Sequence, residues 1–182
     1  MRKISLPFTL EELGGIRAGD WLSLSGVVYT ARDEAHRRMT LALARGESLP
    51  FPAPDAVVYY TGPSPAPPRL IFGSAGPTSS YRMDPYTPAL LAQGVKAFIG
   101  KGPRSPEVRQ ALVEHQALYL AAVGGAAALL SRAVREARII AYPELGPEAV
   151  RRLRIEDMEL VCINDARGGD WYVSGQNSWR SL

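Results

Sequence analysis

Ala56-Val-Val-Tyr-Tyr is an unbroken apolar run set between Pro50-Phe-Pro-Ala-Pro and Gly62-Pro-Ser-Pro-Ala-Pro-Pro. A strand without alternation is one buried on both faces, as in a sheet covered by helices. Upstream, Trp21-Leu-Ser-Leu-Ser-Gly-Val-Val-Tyr alternates apolar with small polar residues, the pattern of a half-buried strand. From Asp33 to Arg45 the period turns helical: Ala35, Met39, Ala42 and Leu43 share one face, and Arg37, Arg38 and Arg45 lie outside it. The chain opens on a short strand at Lys3–Phe8 and a capping-box pattern, Thr9-Leu-Glu-Glu.

The alternation continues downstream. Arg69-Leu-Ile-Phe reads as a strand, 86–93 as a helix stopped by Gly94, and Val95-Lys-Ala-Phe-Ile as a strand. Ser105-Pro-Glu caps a helix reaching His115, with proline at its first position. A strand over Ala117–Val123 and a helix over Gly125–Val134 follow. The tail predicts strands at Arg138–Tyr142, Leu160–Ile163 and Trp171–Val173, with a helix over Glu148–Leu153. Asp165-Ala-Arg-Gly-Gly-Asp would join the last two strands as a hairpin. The fold class is α/β, a mixed sheet flanked by helices, in one domain over residues 1–182.

Hydrophobic residues make up 46% of the 182, and charged residues 21%, which suits a packed core. The net charge of +3 gives no ground for nucleic-acid binding. Lys3, Lys96 and Lys101 are the only lysines among 21 basic residues, so arginine carries most of the positive charge. Its planar fork suits carboxylates and phosphates. Cys162 is the single cysteine, which excludes an internal disulfide and any metal site built from this chain's cysteines; in its apolar strand it reads as a small buried hydrophobe. The N-terminus has no apolar signal-peptide core. The most apolar window, 117–130, is interrupted by Gly124 and Gly125 and falls short of the roughly 20 residues a bilayer span needs. The expectation is a cytoplasmic protein with no membrane partner.

Chemistry-bearing residues fall in loops at strand ends, where α/β proteins place their sites. In Thr30-Ala-Arg-Asp-Glu-Ala-His a strand enters a helix whose first turn carries Arg32 and Asp33. Arg32 could receive a carboxylate beside free helix N–H groups. Alternatively Asp33 caps the helix and Arg32 is a solvated surface residue. His36, one turn on, reads either as facing that site or as structural. Gly76-Pro-Thr-Ser-Ser-Tyr-Arg puts Thr78, Ser79, Ser80 and Arg82 in a loop whose backbone could approach a ligand closely, although Thr78 or Ser80 could equally serve only as caps. Gly100-Lys101-Gly102 sets an ammonium between glycines after a buried strand; no Ser or Thr follows, so it is not a P-loop.

In this order, Ser25-Gly, Thr30-Ala-Arg-Asp-Glu-Ala-His-Arg, Tyr60-Thr-Gly-Pro, Gly76-Pro-Thr-Ser-Ser-Tyr-Arg-Met-Asp-Pro-Tyr and Gly100-Lys-Gly resemble the β-subunit (C-terminal-domain) family of class I fumarases and L(+)-tartrate dehydratases. Gly124-Gly-Ala-Ala-Ala-Leu, Glu148-Ala-Val, Ile155-Glu-Asp and Asp165-Ala-Arg-Gly-Gly-Asp-Trp-Tyr extend the resemblance over nearly the whole chain. Ser79 stands where that family often has a second threonine, and Arg151 and Arg152 where it is often apolar or aromatic.

The resemblance implies a swivelling β/β/α domain, half of an iron–sulfur hydro-lyase. It implies that Arg32 and Arg82 bind substrate carboxylates, that Thr78 is the base for a C3 proton, and that Lys101 is an active-site lysine. Asp33, His36 and Ser79 are secondary. It implies too that a [4Fe–4S] cluster is held by a cluster-bearing α-subunit in a hetero-oligomer, with this chain binding no metal, and that the substrate is a small dicarboxylate. Fumarate hydration to malate is the leading activity implied, and L(+)-tartrate dehydration the alternative. A non-catalytic module that binds small acids or docks a partner is the reading from a different class; such a module has no need of Arg32, Thr78, Arg82 and Lys101 together in loops.

Overall fold

The computed structural model describes residues 1–68, 71–122 and 127–180, the last three by backbone alone. In chain order the strands are β1 (Arg2–Ser5), β2 (Trp21–Thr30), β3 (Val57–Tyr59), β4 (Ala97–Gly100), β5 (Leu118–Ala121), β6 (Val134–Ala141) and β7 (Val150–Asn164). The helices are α1 (Leu10–Gly15), α2 (Asp33–Ala44), α3 (Thr87–Ala92), α4 (Pro106–Glu114), α5 (Ala127–Arg132) and α6 (Trp171–Arg180). Strands β2, β3, β4 and β5 run parallel, with Tyr29 opposite Val58, Val58 opposite Phe98, and Phe98 opposite Tyr119. The antiparallel β7 pairs with β5 through Leu120↔Cys162 and with β2 from Trp21↔Val161 to Thr30↔Arg151. That double pairing closes β2-β3-β4-β5-β7 into a barrel-like mixed sheet, with β1 on β2 and β6 on β7.

Side-chain alternation divides the core in two. Leu22, Leu24 and Val28 of β2, Tyr59 of β3, Ile99 of β4, Leu120 of β5 and Leu153 and Leu160 of β7 share one buried cluster, the filling of the closed sheet. Tyr60, Val58, Phe98 and Tyr119 point the other way and pack with Met39 of α2, Leu90 of α3 and Leu112 of α4. Each such leucine or phenylalanine contributes about 1.5–3 kcal/mol by leaving water. The run 56–60 is buried on both faces as its sequence requires.

Capping follows the sequence at two helices. Thr9 Oγ1 accepts from Glu12 N at 3.1 Å while Thr9 N donates to Glu12 at 2.8 Å, and Ser105 Oγ accepts from Val108 N at 3.3 Å. Gly94 ends α3's turn at φ +99°, a left-handed value that favours glycine.

Five expectations are corrected. The strand expected over Lys3–Phe8 stops at Ser5. Glu148–Leu153 is not a helix: a 3-10 turn ends at Glu148, and Val150 begins the 15-residue strand β7. Its alternation is concealed by a bulge at Asp157 (φ +50°), which lets Leu153 and Ile155 face inward and then, after two exposed residues, Met158 and Leu160. Trp171–Val173 is the first turn of α6, not a strand. Consequently Asp165–Asp170 is no hairpin: Asp165 accepts from Arg167 N and Gly169 N at 2.9 Å each, and Asp170 accepts from Tyr172 N at 2.9 Å, turning β7 into the helix. Ile71 and Phe72 carry no strand pairing; Arg69 and Leu70 lie outside the described residues, as do Val123, Gly124, Gly125 and Ala126.

Among the described residues no helix is long and apolar enough to cross a membrane.

Candidate functional site

Because β2, β3 and β4 are parallel, the loops leaving their C-terminal ends open at one end of the sheet. The first loop enters α2. Arg32 is the N-cap residue of that helix and makes no side-chain cap, and Asp33 is its first helical residue. Asp33 therefore does not cap α2. Its carboxylate instead bridges two arginines: Arg82 Nε lies 2.7 Å from Oδ1, and an Arg32 terminal nitrogen lies 3.7 Å from Oδ2. Arg32 and Arg82, 50 positions apart, are thus brought to one carboxylate.

Glu148 supplies the missing cap. One of its oxygens accepts from Glu34 N at 3.0 Å, and the other lies 3.7 Å from Arg32. The helix N-terminus and the guanidinium together favour that carboxylate. Arg32 hence stands between two carboxylates at ion-pair range without a hydrogen bond to either. Its Nε, buried, has no hydrogen-bond partner among the described residues, nor has Asp33 Oδ2. The guanidinium packs over Gly62, where a Cβ would come within 3.0 Å of it.

The second and third loops are tied to each other. Thr78 N donates to Tyr60 O at 2.7 Å, so Thr78 sits at the end of β3. Ser79 bridges Lys101 in parallel; Ser80 N donates to Lys101 O at 2.9 Å, and Lys101 N donates to Ser80 Oγ at 3.1 Å. Ser80 then opens a 3-10 turn, Ser80–Met83, that presents Arg82. Ser80 packs so closely on Gly100 that a Cβ there would lie 1.9 Å from its oxygen, which is why β4 ends in glycine. The Lys101 side chain is exposed, and neither its ammonium nor the Thr78 hydroxyl has a partner among the described residues.

Under these loops lies a polar layer that the sequence did not announce. Arg104, its side chain fully buried, donates to Asp84 at 2.6 Å, to Thr87 Oγ1 at 2.7 Å and to Tyr60 Oη at 3.3 Å. Its guanidinium lies 4.9 Å from the Tyr119 ring centre. Tyr119 Oη in turn meets Ser80 Oγ at 2.8 Å and donates to Gly102 O at 2.9 Å. Burial pushes the phenols of Tyr60 and Tyr119 up, keeping them protonated donors. An arginine two residues past Gly102 looks like any surface arginine; only the tertiary partners mark it.

His36 is buried against Tyr60, ring centres 5.3 Å apart, with Nδ1 2.8 Å from Arg32 O. That carbonyl can only accept, so Nδ1 carries the proton and Nε2 is left without a partner among the described residues. Burial lowers its pKa from 6.5 to about 4, and the ring is neutral at pH 7.

Two arginines of the kind that pair with carboxylates, a hydroxyl and an ammonium thus lie in adjoining loops at one end of the sheet. Residues 1–175 match the family described as Fumarase C-terminus. The chain belongs to that family. It is 36% identical over 171 residues to "Fumarate hydratase class I, aerobic" of Salmonella typhimurium, covering 93% of this chain and 30% of that protein. With "Fumarate hydratase 1, mitochondrial" of Leishmania major it shares 36% identity over 169 residues, 92% of this chain and 31% of the other. It is 33% identical over 170 residues to "Putative L(+)-tartrate dehydratase subunit beta" of Methanocaldococcus jannaschii, covering 90% and 87%. This Fumarase C-terminus chain thus spans under a third of the two hydratases and most of the third relative.

Among the described residues of this fumarase C-terminal chain a cluster finds no holder. Cys162 is fully buried within β7, burial pushes its thiol up, and its Sγ points to Asn164 O at 3.6 Å. Among the described residues no group of three or more His, Cys, Asp or Glu side chains is arranged to hold a metal ion. The residues present do not fit an iron–sulfur cluster.

Proposed function

We propose that this chain is the carboxylate-binding and proton-transfer part of a hydro-lyase acting on a four-carbon dicarboxylate, fumarate and malate first. The observation that carries this reading is the convergence of Arg32 and Arg82 on Asp33 at one end of the sheet. A dicarboxylate offers two planar anions, and pairing each with a guanidinium fixes the carbons between them. Asp33 holds the two forks at a set spacing. The Thr78 hydroxyl takes the proton from the carbon next to a carboxylate, provided a neighbouring carboxylate accepts its own. Lys101 stabilises the negative charge that this carboxylate gathers as the proton leaves. In this reading a [4Fe–4S] cluster and its Lewis-acid chemistry come with a cluster-bearing α-subunit, against which this domain swivels.

The similarity to a tartrate dehydratase β subunit of nearly equal length supports the two-subunit arrangement and keeps L-tartrate as the second substrate. The test is anaerobic co-expression with a partner carrying three cluster cysteines, followed by fumarate absorbance and turnover of malate and L-tartrate. Fumarate–malate turnover is expected, while inactivity on all three with an intact cluster would overturn the proposal.

A further inference from the structure

We propose that the buried Asp84–Arg104 pair is a positioning device that sets the Lys101 loop against the Thr78–Arg82 loop. This rests on the site reading above.

The two loops meet through Ser80 N donating to Lys101 O, through Lys101 N donating to Ser80 Oγ, and through Tyr119 Oη between Ser80 Oγ and Gly102 O. Beneath them the Arg104 side chain adds a second tie, reaching further than Tyr119 does. Arg104 leaves the Lys101 loop, and its Nε donates at 2.6 Å to Asp84, the residue that ends the 3-10 turn bearing Arg82. The other Asp84 oxygen accepts from Ser105 N at 2.8 Å, so the carboxylate grips the Lys101 loop twice. A second fork nitrogen donates to Thr87 Oγ1 at 2.7 Å, and Thr87 passes the tie back by donating to Met83 O at 2.9 Å. The third reaches the hydroxyl of Tyr60, the residue whose main-chain carbonyl accepts from Thr78 N. Arg104 therefore ties the end of β3 and the two loops that follow β3 and β4 together while touching none of the site's open groups.

The pair is dry, with no exposure of the guanidinium and 13% of the carboxylate. Three aromatic rings, Tyr60, Phe98 and Tyr119, surround the cation. A buried pair of this kind is weak evidence for stability, since desolvation opposes the attraction, but its fixed fork geometry specifies one arrangement. Lysine keeps the charge and cannot make the three directed bonds.

The experiment uses the assembled enzyme with Arg104→Lys and, as a milder variant, Thr87→Val, which keeps the shape and removes the hydroxyl relay. We expect kcat to fall 10- to 100-fold in Arg104→Lys and less in Thr87→Val. KM should stay within threefold, because Arg32 and Arg82 are set by Asp33. Lys101→Ala should cost far less in the Arg104→Lys background than in the wild type, since a displaced lysine has less to lose. A drop in melting temperature with kcat unchanged, or fully independent effects of the two substitutions, would overturn the proposal. Amide exchange at Ser80 and Lys101 in the same proteins reads the clamp without any activity. Faster exchange confined to these two amides in Arg104→Lys supports it even if the hydro-lyase reading fails. Unchanged exchange overturns it even if turnover is found.

Discussion

At the scale of single residues the site is a balance of charge. Arg82 touches solvent and Asp33 alike, and the substrate carboxylate proposed for it would form charge-assisted bonds stronger than neutral ones. Arg82→Ala is expected to lower kcat/KM by roughly 100-fold, about 2.7 kcal/mol, in a steady-state assay; a near-wild-type value would remove Arg82 from the site. His36 offers a pH signature. Its pKa is depressed to about 4 by burial, so between pH 6.5 and 4 the unfolded chain binds more protons than the native one. Stability therefore falls as pH drops through that window, by up to about 3 kcal/mol from this group alone. In His36→Gln, urea unfolding followed from pH 7 to pH 4 should lose that slope, leaving only the carboxylates' share.

Among elements, α2 shows how a local signal can be answered from far away. Its N-cap residue offers no side-chain cap, and the free first-turn N–H of Glu34 is met by Glu148, 114 positions on. Glu148→Ala should cost about 1 kcal/mol, as losing a cap does, and Glu148→Gln less than half of that, read from urea midpoints. The helix over 33–44 was legible because its apolar face and its length are local properties. Of the strand over 150–164 only Leu160–Ile163 was legible, because the bulge at Asp157 breaks the period-2 pattern upstream and Glu148-Ala-Val reads locally as a helix start. Trp171-Tyr-Val carries strand-type side chains and is helical because Asp170 caps it, itself fixed by Arg109 at 3.0 Å.

Over the whole molecule, β7 closes the sheet by pairing with both β2 and β5, and it carries Cys162 near its C-terminal end. Cys162 is fully buried and its thiol is pushed up by burial. A thiol reagent should label the native protein no faster than it unfolds, and reach full rate in 6 M guanidinium. Labelling that outpaces unfolding measured by fluorescence would show that the closed sheet opens locally.

The sequence by itself determined the α/β class, the doubly buried strand at 56–60, the capped starts of α1 and α4, and the loop positions of Arg32, Thr78, Arg82 and Lys101. These depend on composition, period and neighbours within a turn or two. Only the tertiary structure decided that Asp33 bridges arginines instead of capping, that Glu148 caps α2, that β7 closes the sheet, and that Arg104 is a buried clamp. In each case the deciding partner lies tens of residues away, and its electrostatic or packing energy outweighs the weak preference of the local chain.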